Sequence, residues 1–266
     1  MNSHIHDVAE VELMPRGGPG ASWLSRRLQT DRLEFTDRYD ISDDLKQKVI
    51  GTLDTAGMRM GLHENNARLA LKVVADRTNP RILELGAGHG RLSEKILELH
   101  PSATVTVTDL DPTSVANIAS GALGSHPRAT TKVIDATSIT YPDTSFDLVV
   151  FAASFHHLPP RAACQAIAEA TRVGRQFLVI DLERPSPLAM IPSLLLMPLM
   201  TPRLLATSPL ALLATMHDGS ISMLRAYSRS ALVALGKAAD ASMVVDFLPL
   251  QSKLPSGMAA LFTRAT

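Results

Sequence analysis

Short apolar runs alternate with amphipathic stretches through the middle of the chain. The runs near 82–85, 104–108, 131–134, 146–151 and 176–181 read as buried strands, with helices between them. That alternation predicts βαβ units and a parallel, doubly wound α/β sheet. Two further strands are expected near Met243–Leu248 and Met258–Thr263, on either side of a Pro-Ser-Gly turn. Upstream, Ser42 is placed to cap a helix, with Asp43 and Asp44 in its first turn and Leu45, Val49, Ile50 and Leu53 as its apolar face. A second helix is expected over His63–Ala75. Both precede the first strand and are expected to lie over it as a lid. Arg16-Gly-Gly-Pro-Gly20 breaks the pattern. The expected organisation is a flexible tail over 1–20, a helical lid over 21–80 and a main domain over 81–266.

The pattern fails at Pro187 to Met216, which reads PLAMIPSLLLMPLMTPRLLATSPLALLATM and carries one charge, Arg203. Its length suits a membrane span. Its prolines argue against one, because each interior proline costs about 3 kcal/mol in a helix. Short helical pieces, forming an apolar cap insertion over 187–227, are expected instead. No stable span is expected, and peripheral membrane contact stays open.

The chemistry begins where the first strand ends. Ile82-Leu83-Glu84-Leu85 runs into Gly86, Gly88 and Gly90, and a helix pattern follows with Leu92, Ile96 and Leu97 on one face. Glycine lets a ligand approach the backbone, and a helix start offers unpaired N–H groups. The spacing is G-x-G-x-G. The dinucleotide fingerprint needs a further glycine at 91, where Arg91 stands, and no Gly-Lys-Ser/Thr ending marks a P-loop. Glu84 beside the turn would repel a pyrophosphate and attract a cation. A phosphate-free, positively charged nucleoside fits, and S-adenosylmethionine (SAM) is such a molecule. The second strand ends in Asp109, then Leu110-Asp111-Pro112, and the third in Asp135-Ala136. A carboxylate at the second strand tip can accept from both ribose hydroxyls. Asp135 can accept from an adenine amino group.

Together ILELGAGHG, VTVTDLDP, VIDAT and TSFDLVVFAASFHHLPP resemble the motif series of class I SAM-dependent methyltransferases, the small-molecule group related to the ubiquinone and menaquinone C-methyltransferases. The resemblance runs from about Arg81 to Asp181, and HDGSISMLRAYS from His217 extends it with less weight. It implies a Rossmann-like, seven-stranded, mostly parallel sheet with one antiparallel edge. It implies that Gly86 serves the amino-acid end of SAM, Asp109 the ribose, and Asp135 with Ala136 the adenine. Glu84, Gly88, Gly90, Leu110 and Ala152 complete the expected cofactor set.

Composition narrows the partners. Twenty-six basic residues balance twenty-six acidic ones, and aromatics are 4%, so nothing favours nucleic acid. Cys164 is the only cysteine, which fits a reducing, cytoplasmic setting. Met1 to Leu13 shows no hydrophobic leader pattern.

In this fold the end of the fourth strand faces the reacting centre. There stand Ala152-Ala153-Ser154-Phe155-His156-His157. One histidine is a candidate base and the other is expected to point away; the competing role for either is to orient the loop. Asp181, ending the fifth strand, is the next candidate. His217 and Asp218 are candidate substrate contacts from the cap, and His63 from the lid. The chain lacks the Asn-Pro-Pro-aromatic motif of amino-methylating DNA and protein-glutamine enzymes and the Pro-Cys pair of a cytosine nucleophile; with no acid at the fourth strand end and no HxxxH or Cys-rich ligand set, no metal is expected. The reading is a SAM-dependent methyltransferase acting on O or C of a small lipophilic acceptor, such as a polyketide, quinone-like ring or isoprenoid. The alternative is a SAM-binding sensor, cyclase or isomerase on the same fold. Self-association stays open.

Overall fold

The central strands are buried nearly throughout, and their successive residues enter opposite cores, so both faces are covered. Leu83, Leu85, Val149, Phe151, Phe177 and Val179 enter one core, while Ile82, Leu148, Val150, Leu178 and Ile180 enter the other. Each fully buried Leu or Phe contributes roughly 1.5–3 kcal/mol. The computed structural model describes residues 11–204, 209–250 and 257–265, and side chains in the apolar helices up to residue 195 and from residue 213.

The strands are β1 (Arg81–Leu85), β2 (Thr104–Asp109), β3 (Ala129–Val133), β4 (Phe146–Ala152), β5 (Gly174–Leu182), β6 (Met243–Leu248) and β7 (Gly257–Arg264). Their order is β3-β2-β1-β4-β5-β7-β6. The first five are parallel, and β7 runs antiparallel to both β5 and β6. The expected seven-stranded α/β sheet is therefore present. The Pro-Ser-Gly turn lies partly outside the described residues.

The helices are α1 (Trp23–Arg27), α2 (Asp43–Arg59), α3 (Leu62–Val73), α4 (Arg91–Leu99), α5 (Pro112–Ser120), α6 (Pro160–Val173), α7 (Pro187–Leu204), α8 (Pro209–Arg225) and α9 (Arg229–Ala239). Helices α3, α4 and α5 cover the Ile82 face, and α6 and α9 the Leu83 face. Order reverses between β1 and β4. Beyond the strand ends at that switch point an open α/β sheet keeps its ligand crevice.

Three expectations change here. Helix α3 is not a lid: Ala67 and Ala70 are fully buried against α4 and the sheet, because alanine permits close packing. Residues 11–20 are not a loose tail, since Arg16 is buried; residues 1–10 lie outside the described part. The 187–216 segment forms two helices of 18 and 17 residues rather than short pieces. Each starts with proline, which suits a first helical position, and Pro192, Pro198 and Pro202 lie within α7. Among the described residues no helix is long and apolar enough to cross a membrane.

Candidate active site

The glycine turn after β1 is left-handed at Gly86 (φ 60°), Gly88 (57°) and Gly90 (75°), a conformation that penalises any Cβ. A Cβ on Gly86 would also meet Ser154 Oγ at 2.5 Å and Phe151 Cε2 at 2.6 Å. At Gly88 the space is open apart from Ile50 at 3.5 Å. The turn thus presses on β4 at one glycine and offers bare backbone at another.

Asp109 ties the turn to β2. Its Oδ2 accepts from Gly88 N at 2.8 Å and its Oδ1 from Asp111 N at 2.9 Å. Each carboxylate oxygen has two acceptor directions, so each keeps one for a hydroxyl. Burial raises the Asp109 pKa above the usual carboxylate range, against the pull of those N–H groups. Glu84 lies deeper. Its carboxyl accepts from Ser93 N at 3.1 Å and from Ser93 Oγ, joining β1 to the first turn of α4. Burial pushes its pKa up to about 8, so it is mostly neutral at pH 7.

Helix α2 covers this turn with polar groups. Gln47 Nε2 donates to Asp111 Oδ2 and Ser114 Oγ, and Gln47 Oε1 accepts from Asn117. His89 of the turn pairs through Nε2 with Gln47 Oε1 and through Nδ1 with Asp54 at 2.7 Å. The covering face departs from the expected one: Lys46, Val49 and Thr52 are buried, whereas Leu53 is exposed.

At the end of β4, Ala153 takes φ 58°, unusual for a residue with a Cβ. Ser154 then donates to Gly86 O, and a 3-10 turn at Phe155–His157 follows. This curl turns both histidines onto one acid. His156 Nε2 lies 3.4 Å from Glu34 Oε1, and His157 Nε2 lies 3.7 Å from Glu34 Oε2. Their Nδ1 atoms face other carboxylates: His156 pairs with Asp181 at 2.8 Å and His157 with Asp37 at 2.6 Å. Burial opposes charge on His156, but Asp181 and then Glu34 outweigh it and push its pKa up to about 10. Burial likewise opposes charge on Asp37, yet His157 and Arg225 hold it well below the usual range. Arg225 donates to Asp37 Oδ2 and His157 O, and Arg16 to the carbonyls of His156 and Arg225.

Residues 82–176 match the family described as a methyltransferase domain. Over those residues the chain carries a methyltransferase domain. Two curated relatives are malonyl-[acyl-carrier protein] O-methyltransferases. The one from Paenibacillus sp. (strain JDR-2) is 28% identical over 51% of this chain and 47% of its own length. The one from Geobacter sulfurreducens is 36% identical over 40% of this chain and 39% of its own length. The chain thus spans less than half the length of these relatives. The plantazolicin methyltransferase BpumL, solved with a triazolic desmethylPZN analog and SAH, matches in fold with a TM-score of 0.61 at 13% identity, covering 97% of this chain and 98% of that one.

Within this methyltransferase domain the expected cofactor residues gather at one edge. Gly86, Gly88, Gly90 and Asp109 adjoin. Leu110 is exposed beside them, and Ala152 is half-buried at the β4 end. Asp135 is exposed, its Oδ1 accepting from Thr137 N and Oγ1; Ala136 is buried behind it. Glu84 does not face a ligand's charge as expected: its carboxyl lies beneath the turn, held by Ser93 and mostly neutral. The histidines do not diverge as expected; the 3-10 turn sets their ring centroids 4.4 Å apart.

His217 and Asp218 reach the same neighbourhood, where Asp218 Oδ1 accepts from Phe35 N and the His217 ring packs edge-on against Phe35. His63 stands apart, 3.3 Å from Asp54 O beneath α2. Sequence reasoning missed Glu34, Asp37, Arg16 and Arg225. Their one signal was lone charge in apolar or loop context. It also found no metal ligands, yet Glu34, His156 and His157 each place a ligand atom within 4.8 Å of the others. A hollow of about 560 Å³ near Arg77, Asp147 and Arg175 lies at the opposite ends of β4 and β5 and has no part in this geometry.

Proposed function

We propose that the chain transfers a methyl group from SAM to an oxygen or carbon of a small lipophilic acceptor. The observation that carries this reading is Asp109, whose two oxygens each retain an acceptor direction beside the bare backbone of Gly88. A ribose diol fits that pair. Gly86 and Gly88 would take the amino-acid end, and Asp135 with the Ala136 backbone the adenine. The bound cofactor supplies a methyl carbon activated by its sulfonium. The chain's own share is to orient the acceptor in line and exclude water, worth roughly 7–11 kcal/mol when alignment is good.

The β4 end, with His156, His157 and Asp181, stands where the acceptor enters. Both imidazoles have their nitrogens directed at carboxylates, so we assign them, with Asp181, a positioning role rather than that of a free base. His217 and Asp218 would fix α8 over the acceptor, and His63 the far side of α2. The apolar helices α7 and α8 support a lipophilic acceptor. The relatives act, by name, on malonyl-[acyl-carrier protein] in one case and plantazolicin in another, so a carrier-bound acceptor belongs in the same trial.

The test incubates the protein and SAM with a panel of polyketide, quinone-like, isoprenoid and malonyl-carrier acceptors. A product one methylene heavier by mass spectrometry, with S-adenosylhomocysteine in equal amount, is expected. SAM binding with no transfer to any acceptor class would favour a sensor or cyclase on this fold.

A further inference from the structure

We propose that Glu34, His156 and His157 form a binding site for one divalent transition-metal ion, with zinc as the expected occupant. The proposal concerns a site separate from the glycine turn and does not depend on methyl transfer.

A metal-bound histidine usually gives its second ring nitrogen to a carboxylate, which fixes tautomer and ring orientation. Here this happens twice: Asp181 takes Nδ1 of His156 at 2.8 Å, and Asp37 takes Nδ1 of His157 at 2.6 Å. That leaves both Nε2 atoms aimed at Glu34. Two imidazole nitrogens and one carboxylate are a ligand set of catalytic zinc sites, which keep a fourth position open. Mixed nitrogen and oxygen donors also exclude a preference for magnesium or calcium.

A further observation points to a missing partner. Glu34 Oε1 and His156 Nε2 are fully buried yet make no hydrogen bond, on residues only 2% and 4% exposed. Such atoms are costly unless something fills the gap between them. Bound there, the ion would fasten the Glu34–Asp37 segment to the β4 end.

The experiment uses full-length, tag-free protein stripped with a chelator, then titrated with Zn²⁺ by calorimetry and with Co²⁺ by visible absorption. One equivalent of either is expected, with the cobalt spectrum showing nitrogen and oxygen ligands and zinc raising the thermal midpoint. Glu34→Gln and His157→Asn should each abolish the cobalt band. Asp37→Asn, in the outer shell, should weaken binding about 10–100-fold. His126→Asn, before β3, should bind as the parent does. No stoichiometric binding by the parent protein would overturn the proposal. So would binding unchanged in Glu34→Gln or His157→Asn. If one of these variants does not fold, the other and the parent spectrum decide.

Discussion

Glu84 shows how one buried side chain sets a pH response. Its carboxyl has a reference pKa of 4.5 and sits near 8 in the folded protein. Between those values the unfolded chain loses a proton that the native state keeps, so stability falls as pH rises through that window. The slope approaches about 1.4 kcal/mol per pH unit. Glu84→Gln keeps an acceptor for Ser93 and removes the titration. Urea unfolding from pH 5 to 8 should show a decline in the parent that is much shallower in the variant; equal slopes would refute the buried-acid account. Gly86 makes a steric prediction. Alanine there must adopt a left-handed φ and press on Ser154 and Phe151, so Gly86→Ala should cost roughly 1–3 kcal/mol in unfolding free energy. A thermal midpoint equal to the parent's would contradict that packing.

Elements divide into those announced by local pattern and those fixed only by long-range pairing. The strands and their glycine turn were legible because short apolar runs and spaced glycines leave marks within a few residues: Ile82 to Leu85, Leu148 to Phe151, and Gly86 to Gly90. The acid partners of His156 and His157 were not. Glu34 and Asp37 come from a segment without helical or strand periodicity; Arg225 reaches both of them, while Arg16 and Arg184 tie down the chain just upstream, at Asp31, Ser25 and Leu28. Arg184 donates to the carbonyls of Ser25, Leu28 and Leu224. No spacing rule reports a side chain bonded to distant backbone. The same blindness hid the polar underside of α2, where a hydrophobic-face argument chose Leu53 and the fold buried Lys46 and Thr52. Arg184→Leu should leave those carbonyls unpaired, at about 1–3 kcal/mol for each group left buried. It should speed tryptic cleavage at Arg26 and Arg27 while the central sheet keeps its far-UV signal. Unaltered cleavage rates would show that Arg184 does not tie that chain down.

Across the whole molecule, strand order reverses between β1 and β4, and three independent features meet beside that switch point. The left-handed glycines bare the backbone, Asp109 presents free acceptor directions, and α2 roofs the turn through Gln47 and Asp54. The most direct trial of that convergence is calorimetric titration of SAM and of S-adenosylhomocysteine into the parent protein and Asp109→Ala. One molecule should bind per chain, and the substitution should cost at least about 2–3 kcal/mol, a 30-fold or greater loss, because it removes two hydrogen bonds to a charged group. Unchanged affinity in Asp109→Ala, or a parent protein that ignores SAM and binds a phosphate-bearing dinucleotide, would contradict the account.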